Sequence, residues 1–353
     1  MAFLKINNVS IRGMSGCVPK NVEENKDLPF YSPEEASRVI EEIGIVRKHI
    51  APAEITVADL CYEAAAKLIE KLGWEKESIG LLALCTQNPD YINQPTSFLV
   101  HEKLGLPQST MCLDFFHGCP GWVVSLSSVC SLISTGNIKR AILLDGDEVS
   151  KWTTANNRET RPLFGDAGTA TALEFDPHAK PFCFNIGTLS EEGNALIEPY
   201  GGFRNPYTIE TLKYTLDFRA GKLPKEKWLK AMESMDVFSF AITKVPKAIK
   251  SLCTEFDIDI GNIDKLVLHQ ANKFMLENIA KRMKVPMEKV PLGLRYYGNT
   301  TSASVPLTIV TECQKQITTG VQKNLVCGFG TGLAWGAAYF ETDRIVCPDV
   351  IEV

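Results

Sequence analysis

Three short segments of this 353-residue chain carry side chains able to do chemistry. Cys119 lies in Phe116-His117-Gly118-Cys119-Pro120-Gly121-Trp122, at a turn before a predicted helix, with Pro120 suited to the first helical turn. A thiol there meets the positive end of the helix dipole and several unpaired N–H groups, which favour the reactive thiolate. Taken alone, the segment also fits a buried structural cysteine. His269 ends the apolar run Leu266-Val267-Leu268 and opens His269-Gln270-Ala271-Asn272. A histidine at a strand end before a polar turn is well placed for a site, although a core histidine satisfied by backbone would look the same. The chain has only five histidines (49, 101, 117, 178 and 269), so the choice is narrow. Asn299 lies in Tyr297-Gly298-Asn299-Thr300-Thr301-Ser302-Ala303-Ser304, where it either serves a site or caps the next helix. Gly328-Phe329-Gly330-Thr331-Gly332 is a turn in which backbone can approach a ligand closely. No Lys-Ser/Thr follows it, so it is not a phosphate loop.

The chain also carries a signal for how these distant segments meet. It matches itself at an offset of 184 residues: Ser78–Cys85 falls on Asn262–His269, His117–Gly136 on Thr301–Gly320, and the apolar run from Ala141 on Leu325–Gly328. The reading is two similar halves, 1–175 and 176–353, meeting at a shared site. Candidate helices are Thr56–Leu72, Pro120–Ser134, Met235–Phe256 and Lys273–Met283. Candidate strands are Leu81–Cys85, Ala141–Asp145, Lys265–His269 and Asn324–Gly328. Strands mixed with helices in each half imply α/β layers. Two insertions break the symmetry, the polar stretch Asp147–Leu163 and the longer Gly193–Ser234, and such insertions often carry substrate contacts.

Composition narrows the function classes. The residues are 45% hydrophobic and 22% charged, as in ordinary globular enzymes. A formal charge of -5 gives no basic field to attract nucleic acid. No apolar run reaches the roughly 18 residues of a membrane span. The N-terminal segment lacks the basic start and apolar stretch of a signal peptide, so a cytoplasmic location is expected. The eleven cysteines are odd in number and include no CxxC pair, so they are expected to be mostly free thiols. No metal-ligand cluster is visible in the sequence.

Taken together, the segments resemble the ketoacyl-acyl-carrier-protein synthase III family, within the thiolase-like superfamily. The matching pieces are GC-x-G-W around Cys119, FGDAG at 164–168, HQAN at 269–272, GNTTSASVP at 298–306 and GFGTGLAWG at 328–336. The resemblance covers nearly the whole chain and implies a duplicated five-layer α-β-α-β-α fold, which suits the 184-residue offset. It implies that Cys119 takes an acyl group from a thioester, and that His269 and Asn299 donate hydrogen bonds to the carbonyl of a malonyl thioester as carbon dioxide leaves. The backbone N–H groups of Cys119 and Thr331 would form the oxyanion hole for attack on the acyl-Cys. Arg158, Gln94, Trp122, Phe238, Phe329 and Gly332 are the implied substrate-binding residues, and Lys273, Lys281 and Arg282 the implied carrier-protein docking residues. The implied substrates are acyl-CoA or acyl-carrier protein and malonyl-carrier protein. The CoA and phosphopantetheine thioesters act as substrates, with no cofactor or metal, and the assembly expected is a homodimer.

The chain departs from the family pattern at several places. In an ungapped alignment Arg38 and Glu42 occupy the places of an aromatic and an arginine that hold the CoA nucleotide, so one of two stacking partners of the nucleotide is expected to be missing, while Arg158 matches a second nucleotide-contacting arginine. Gln94 stands where many members have a pocket-closing Phe, expected to reach the neighbouring subunit. Phe274 replaces a basic docking residue, and Pro120 and Trp122 flank the nucleophile in place of a small residue and a Phe. An alternative activity is non-decarboxylating acyl transfer to a hydroxyl or amine with His269 as base. The intact trio argues against a non-catalytic partner subunit.

Overall fold

A computed structural model describes residues 2–151, 153, 157–198, 200–219 and 234–353. In chain order its strands are β1 (Ala2–Ile6), β2 (Val9–Val18), β3 (Val22–Glu24), β4 (Arg47–His49), β5 (Ile79–Cys85), β6 (Met111–Phe115), β7 (Arg140–Asp147), β8 (Ala167–Phe175), β9 (Phe182–Thr188), β10 (Lys265–Leu268), β11 (Val321–Gly330), β12 (Ala334–Asp343) and β13 (Ile351–Glu352). The helices are α1 (Pro33–Ile43), α2 (Val57–Leu72), α3 (Thr96–Leu104), α4 (Gly121–Ile133), α5 (Ile209–Arg219), α6 (Ser234–Glu255), α7 (Lys273–Met283), α8 (Leu294–Tyr297), α9 (Ser304–Glu312) and α10 (Gln314–Thr319).

One sheet runs β13-β2-β8-β7-β5-β6 and the second β1-β9-β12-β11-β10. The shared pattern is plain: β5 lies parallel to β7 and β7 antiparallel to β8, just as β10 lies parallel to β11 and β11 antiparallel to β12. The terminal strands cross between the sheets. The first strand, β1, pairs with β9 in the second sheet, and the last, β13, pairs with β2 in the first. Helices α2 and α3 cover one outer face, α4 and α9 lie between the sheets, and α6 and α7 cover the other outer face, giving five α-β-α-β-α layers.

The central helices have the sequences this position demands. In α4 Trp122, Val123, Leu126, Val129, Cys130 and Ile133 are all buried, and in α9 every residue from Ser304 to Val310 is buried. A helix with a sheet on each side has no solvent face to keep polar. In α4 the serine hydroxyls bond the preceding turn, as where Ser125 donates to the Gly121 carbonyl at 2.7 Å.

The expected helices are present, Lys273–Met283 with the expected ends and the others with shifted ends. Thr56 caps α2 through a capping box with Asp59, so the helix starts at Val57. Helix α4 runs Gly121–Ile133, with Pro120 as its N-cap and not its first helical residue: the Pro120 carbonyl already accepts from Val124 N–H at 3.1 Å. Helix α6 continues through an internal Pro246. Strands β7 and β11 outrun their apolar stretches because polar residues at their ends keep pairing, as in Gln322 with Thr342 and Lys323 with Glu341. All eleven cysteines are free thiols. Among the described residues no helix is long and apolar enough to cross a membrane, and no group of three or more His, Cys, Asp or Glu is arranged to hold a metal.

Candidate active site

Cys119 sits in the turn between β6 and α4 and is 8% exposed. The end of β11 crosses directly over it. Gly330 has a φ of +153°, and a Cβ there would lie 2.8 Å from both Cβ and Sγ of Cys119, so no larger residue fits. The crossing brings the Thr331 backbone N–H and hydroxyl onto the Cys119 sulfur, together with the N–H of Cys119 itself. Those donors favour the thiolate, but burial outweighs them and the nearby Asp147 adds to it, so the thiol is pushed up to about 11. The thiolate expected from the helix start alone is therefore not the resting form.

His269 follows β10 and is 2% exposed, with its ring edge-on to Phe329, the centroids 5.4 Å apart. Its Nδ1 lies 2.7 Å from Ser304 Oγ, and Ser304 Oγ also accepts from Gln270 N–H at 3.5 Å. The Ser304 hydroxyl can donate to Nδ1 or accept from it, and the neutral ring carries one proton in either case. Burial lowers the His269 pKa to about 3, so the ring is neutral at any physiological pH. The rest of the HQAN segment is scaffolding. Gln270 bonds the Leu268 and Pro291 carbonyls and the Leu294 N–H, and Asn272 caps α7 by accepting from Met275 N–H at 2.8 Å.

Asn299 is 6% exposed and is held by backbone on both sides: its N–H donates to Leu163 and its carbonyl accepts from Gly165, at the start of the FGDAG segment. Its Oδ1 accepts from Thr301 N–H at 3.0 Å. That bond commits the amide oxygen and leaves the NH2 group as the available donor. It is an Asx turn, not the helix cap that was the sequence alternative. Cys119, His269 and Asn299 thus converge around the end of β11. Phe329 touches His269, Gly330 touches Cys119, and the Thr301 backbone joins Asn299 to His269.

Residues 113–189 match the profile of 3-oxoacyl-[acyl-carrier-protein] synthase III, and residues 253–342 match that of its C-terminal region. A β-ketoacyl-[acyl-carrier-protein] synthase III of Fusobacterium nucleatum is 30% identical over 94% of this chain and 98% of its own length. The chain belongs to the 3-oxoacyl-acyl-carrier-protein synthase III family. The namesake enzyme of Streptococcus pneumoniae is likewise 30% identical, over 95% of this chain and 98% of its own. A crystal structure of a 3-oxoacyl-(acyl-carrier protein) synthase from Burkholderia xenovorans LB400 superposes with a TM-score of 0.91 at 34% identity, covering 100% of this chain and 99% of that one. This is an enzyme of the ketoacyl synthase class with the thiolase-like fold.

Around this synthase's trio, the structure separates the other sequence candidates. Trp122 lines no substrate path: it is fully buried, its N–H bonds Thr171 Oγ1 at 3.1 Å, and its ring meets Phe340 edge-on. An indole immediately after the helix start points into the layer between the sheets, so it acts in packing. The Arg158 guanidinium lies 4.9 Å from the Tyr31 ring centroid and 5.9 Å from that of Phe30, and Tyr31 donates to the Arg158 carbonyl. Arg158 thus has aromatic neighbours from just before α1, while Arg38 and Glu42 lie exposed on that helix. Phe238 stacks on Phe274, centroids 5.5 Å apart, at the start of α7. Gly332 follows Thr331 with a φ of +142°. Gln94 is exposed, as are Lys281 and Arg282, while Lys273 lies 3.8 Å from Glu277. Arg282 closes a surface groove of about 590 Å³ with Lys247 and Lys250, at the far end of α7 from His269.

Several residues at the site were not singled out from the sequence. Ser304 and Thr301 lay inside the quoted motif but had no assigned role. Asp147 was read only as the start of a polar loop. Its signal was a second carboxylate, two residues after Asp145, at the end of an otherwise apolar strand.

Proposed function

We propose that this chain catalyses the decarboxylating condensation of an acyl thioester with malonyl-carrier protein, through an acyl-Cys119 intermediate, in fatty-acid or related biosynthesis. Cys119 sulfur attacks the acyl thioester carbonyl, the oxyanion rests on the Cys119 and Thr331 N–H groups, and the departing thiol takes the proton. The malonyl carbonyl then occupies the space before Asn299 Nδ2 and His269 Nε2. Carbon dioxide leaves, the two donors stabilise the enolate, and its carbon attacks the acyl-Cys carbonyl to expel the Cys119 sulfur. This chemistry requires no metal or cofactor, because charge develops on an oxygen that two neutral donors face.

The observation that carries this reading is the partner of His269. Its Nδ1 meets the Ser304 hydroxyl and not a carboxylate. With that hydroxyl donating to Nδ1, the neutral ring carries its proton on Nε2 and offers a donor there, where transfer to a hydroxyl or amine would need a free lone pair. The Arg158–Tyr31 pair, five residues before the Leu163 that bonds Asn299, supports acyl-CoA as first donor, with the adenine as a third stacked group. We also propose a homodimer in the cytoplasm. Strand β6 is the open edge of its sheet, and exposed Tyr91, Ile92, Phe98, Met111 and Phe116 lie along and beside it, with Gln94 among them. Incubation with acyl-CoA and carboxyl-labelled malonyl-carrier protein tests the activity. Labelled carbon dioxide and a 3-oxoacyl product in equal amount are expected; acyl transfer without carbon dioxide would overturn it.

A further inference from the structure

The strongest unassigned feature is the set of bonds made by Asp147, the last residue of β7, which is fully buried. Oδ1 accepts from Thr86 Oγ1 at 3.1 Å and from Gln87 N–H at 2.7 Å. Oδ2 accepts from the Thr301 hydroxyl, from Ser302 N–H at 3.3 Å and from Ser302 Oγ at 2.8 Å. One oxygen thus serves the first half of the fold and the other the second. On the first side, the Gln87 side chain presses against Gly118, beside the nucleophile: a Cβ on Gly118 would lie 2.9 Å from its amide atoms. On the second side stands Thr301, whose φ is +50°. A β-branched residue in the left-handed region is a strained outlier, and such a conformation persists only where its surroundings impose it.

Thr301 is also the residue that the Asn299 amide leans on. Its N–H takes up Asn299 Oδ1 and so decides which end of that amide is offered. We propose that Asp147 is a positioning residue for the condensation step, holding Thr301 in its left-handed conformation and so aiming the Asn299 amide at the substrate carbonyl. The inference rests on the condensing activity proposed above. Asp147 touches no substrate. Its effect passes through Thr301, and a donor displaced by about 1 Å costs on the order of 100-fold in rate.

Asp147→Asn is nearly isosteric, but its NH2 opposes the donors on one side. Three readouts on the full chain test the proposal: the rate of acyl-Cys119 formation by intact mass, carbon dioxide release from labelled malonyl-carrier protein, and the thermal midpoint. The expected result is condensation lowered about 100-fold with acylation changed less than about fivefold. Thr301→Val, which removes only the hydroxyl clamp, shows the same split, and Thr301→Ser regains most of the lost rate. A crystal structure of Asp147→Asn shows Thr301 outside the left-handed region and Asn299 Oδ1 released. If both half-reactions fall together with the thermal midpoint, or if Thr301 keeps its conformation in the variant, the proposal is overturned. If Asp147→Asn does not fold, the Thr301 pair decides alone: equal losses in both half-reactions overturn it. A wild-type enzyme that releases no carbon dioxide refutes the condensing activity itself, and the variant crystal structure still judges the clamp.

Discussion

The two central strand ends of this fold do opposite things across the same interface. Strand β7 ends at Asp147, and β11 is followed by Thr331, which is its counterpart at the 184-residue offset (331 − 147). Thr331 reaches into the first half and puts donors on the Cys119 sulfur. Asp147 reaches into the second half and gathers donors from Thr301 and Ser302, in the turn equivalent to the one that holds Cys119. A second equivalent pair diverges as well. His269 meets the Ser304 hydroxyl at the site, whereas its counterpart Cys85 is sealed under α4, its sulfur 2.5 Å from where a Cβ on Gly121 would be. The strand pattern recurs in the two sheets. In the proposed reaction the nucleophile lies in one half and the enolate donors in the other.

This contrast is broken most severely at the nucleophile. Cys119→Ala is expected to show no acyl adduct by intact mass and to lose about 10⁴-fold or more in condensation. His269→Ala should lose about 10²- to 10³-fold in condensation measured by product formation, the cost of one missing oxyanion donor. The next effect is on pH. With the thiol near 11, the rate of acyl transfer to Cys119 should climb about tenfold per pH unit between pH 7 and 9, while His269, near 3, stays neutral throughout. A stopped-flow profile with a midpoint near 7 would show that substrate binding relieves the burial. The smallest effect is expected on the silent side. Cys85→Ala should cost about 1 kcal/mol of stability by chemical denaturation and leave turnover near that of the native chain.

Much of this site was legible in the sequence because its parts are short and contiguous. GC-x-G-W, HQAN and GNTTSASVP are local strings, and the 184-residue offset placed them in equivalent halves. What was not legible depends on pairing across that offset. Asp147 and Thr301 are 154 residues apart, and nothing in the polar run after Asp147 says that its oxygens are divided between the halves. The crossing of β1 and β13 into the opposite sheets was hidden for the same reason. At Cys119 the helix start argued for a thiolate, while burial, which the segment fitted as well, pushes the thiol up to about 11. The resemblance implied a substrate contact for Trp122, but its side chain is fully buried with its N–H on Thr171 Oγ1.

The division of labour between the halves is tested most directly by Asn299→Ala, followed separately through each half-reaction. With acyl-CoA alone, intact mass should show acyl-Cys119 forming at a rate within about fivefold of the native chain. On adding labelled malonyl-carrier protein, carbon dioxide release should fall by about 10²- to 10³-fold. Loss of the acyl adduct, or carbon dioxide release at the native rate, would contradict the assignment of Asn299 to the enolate.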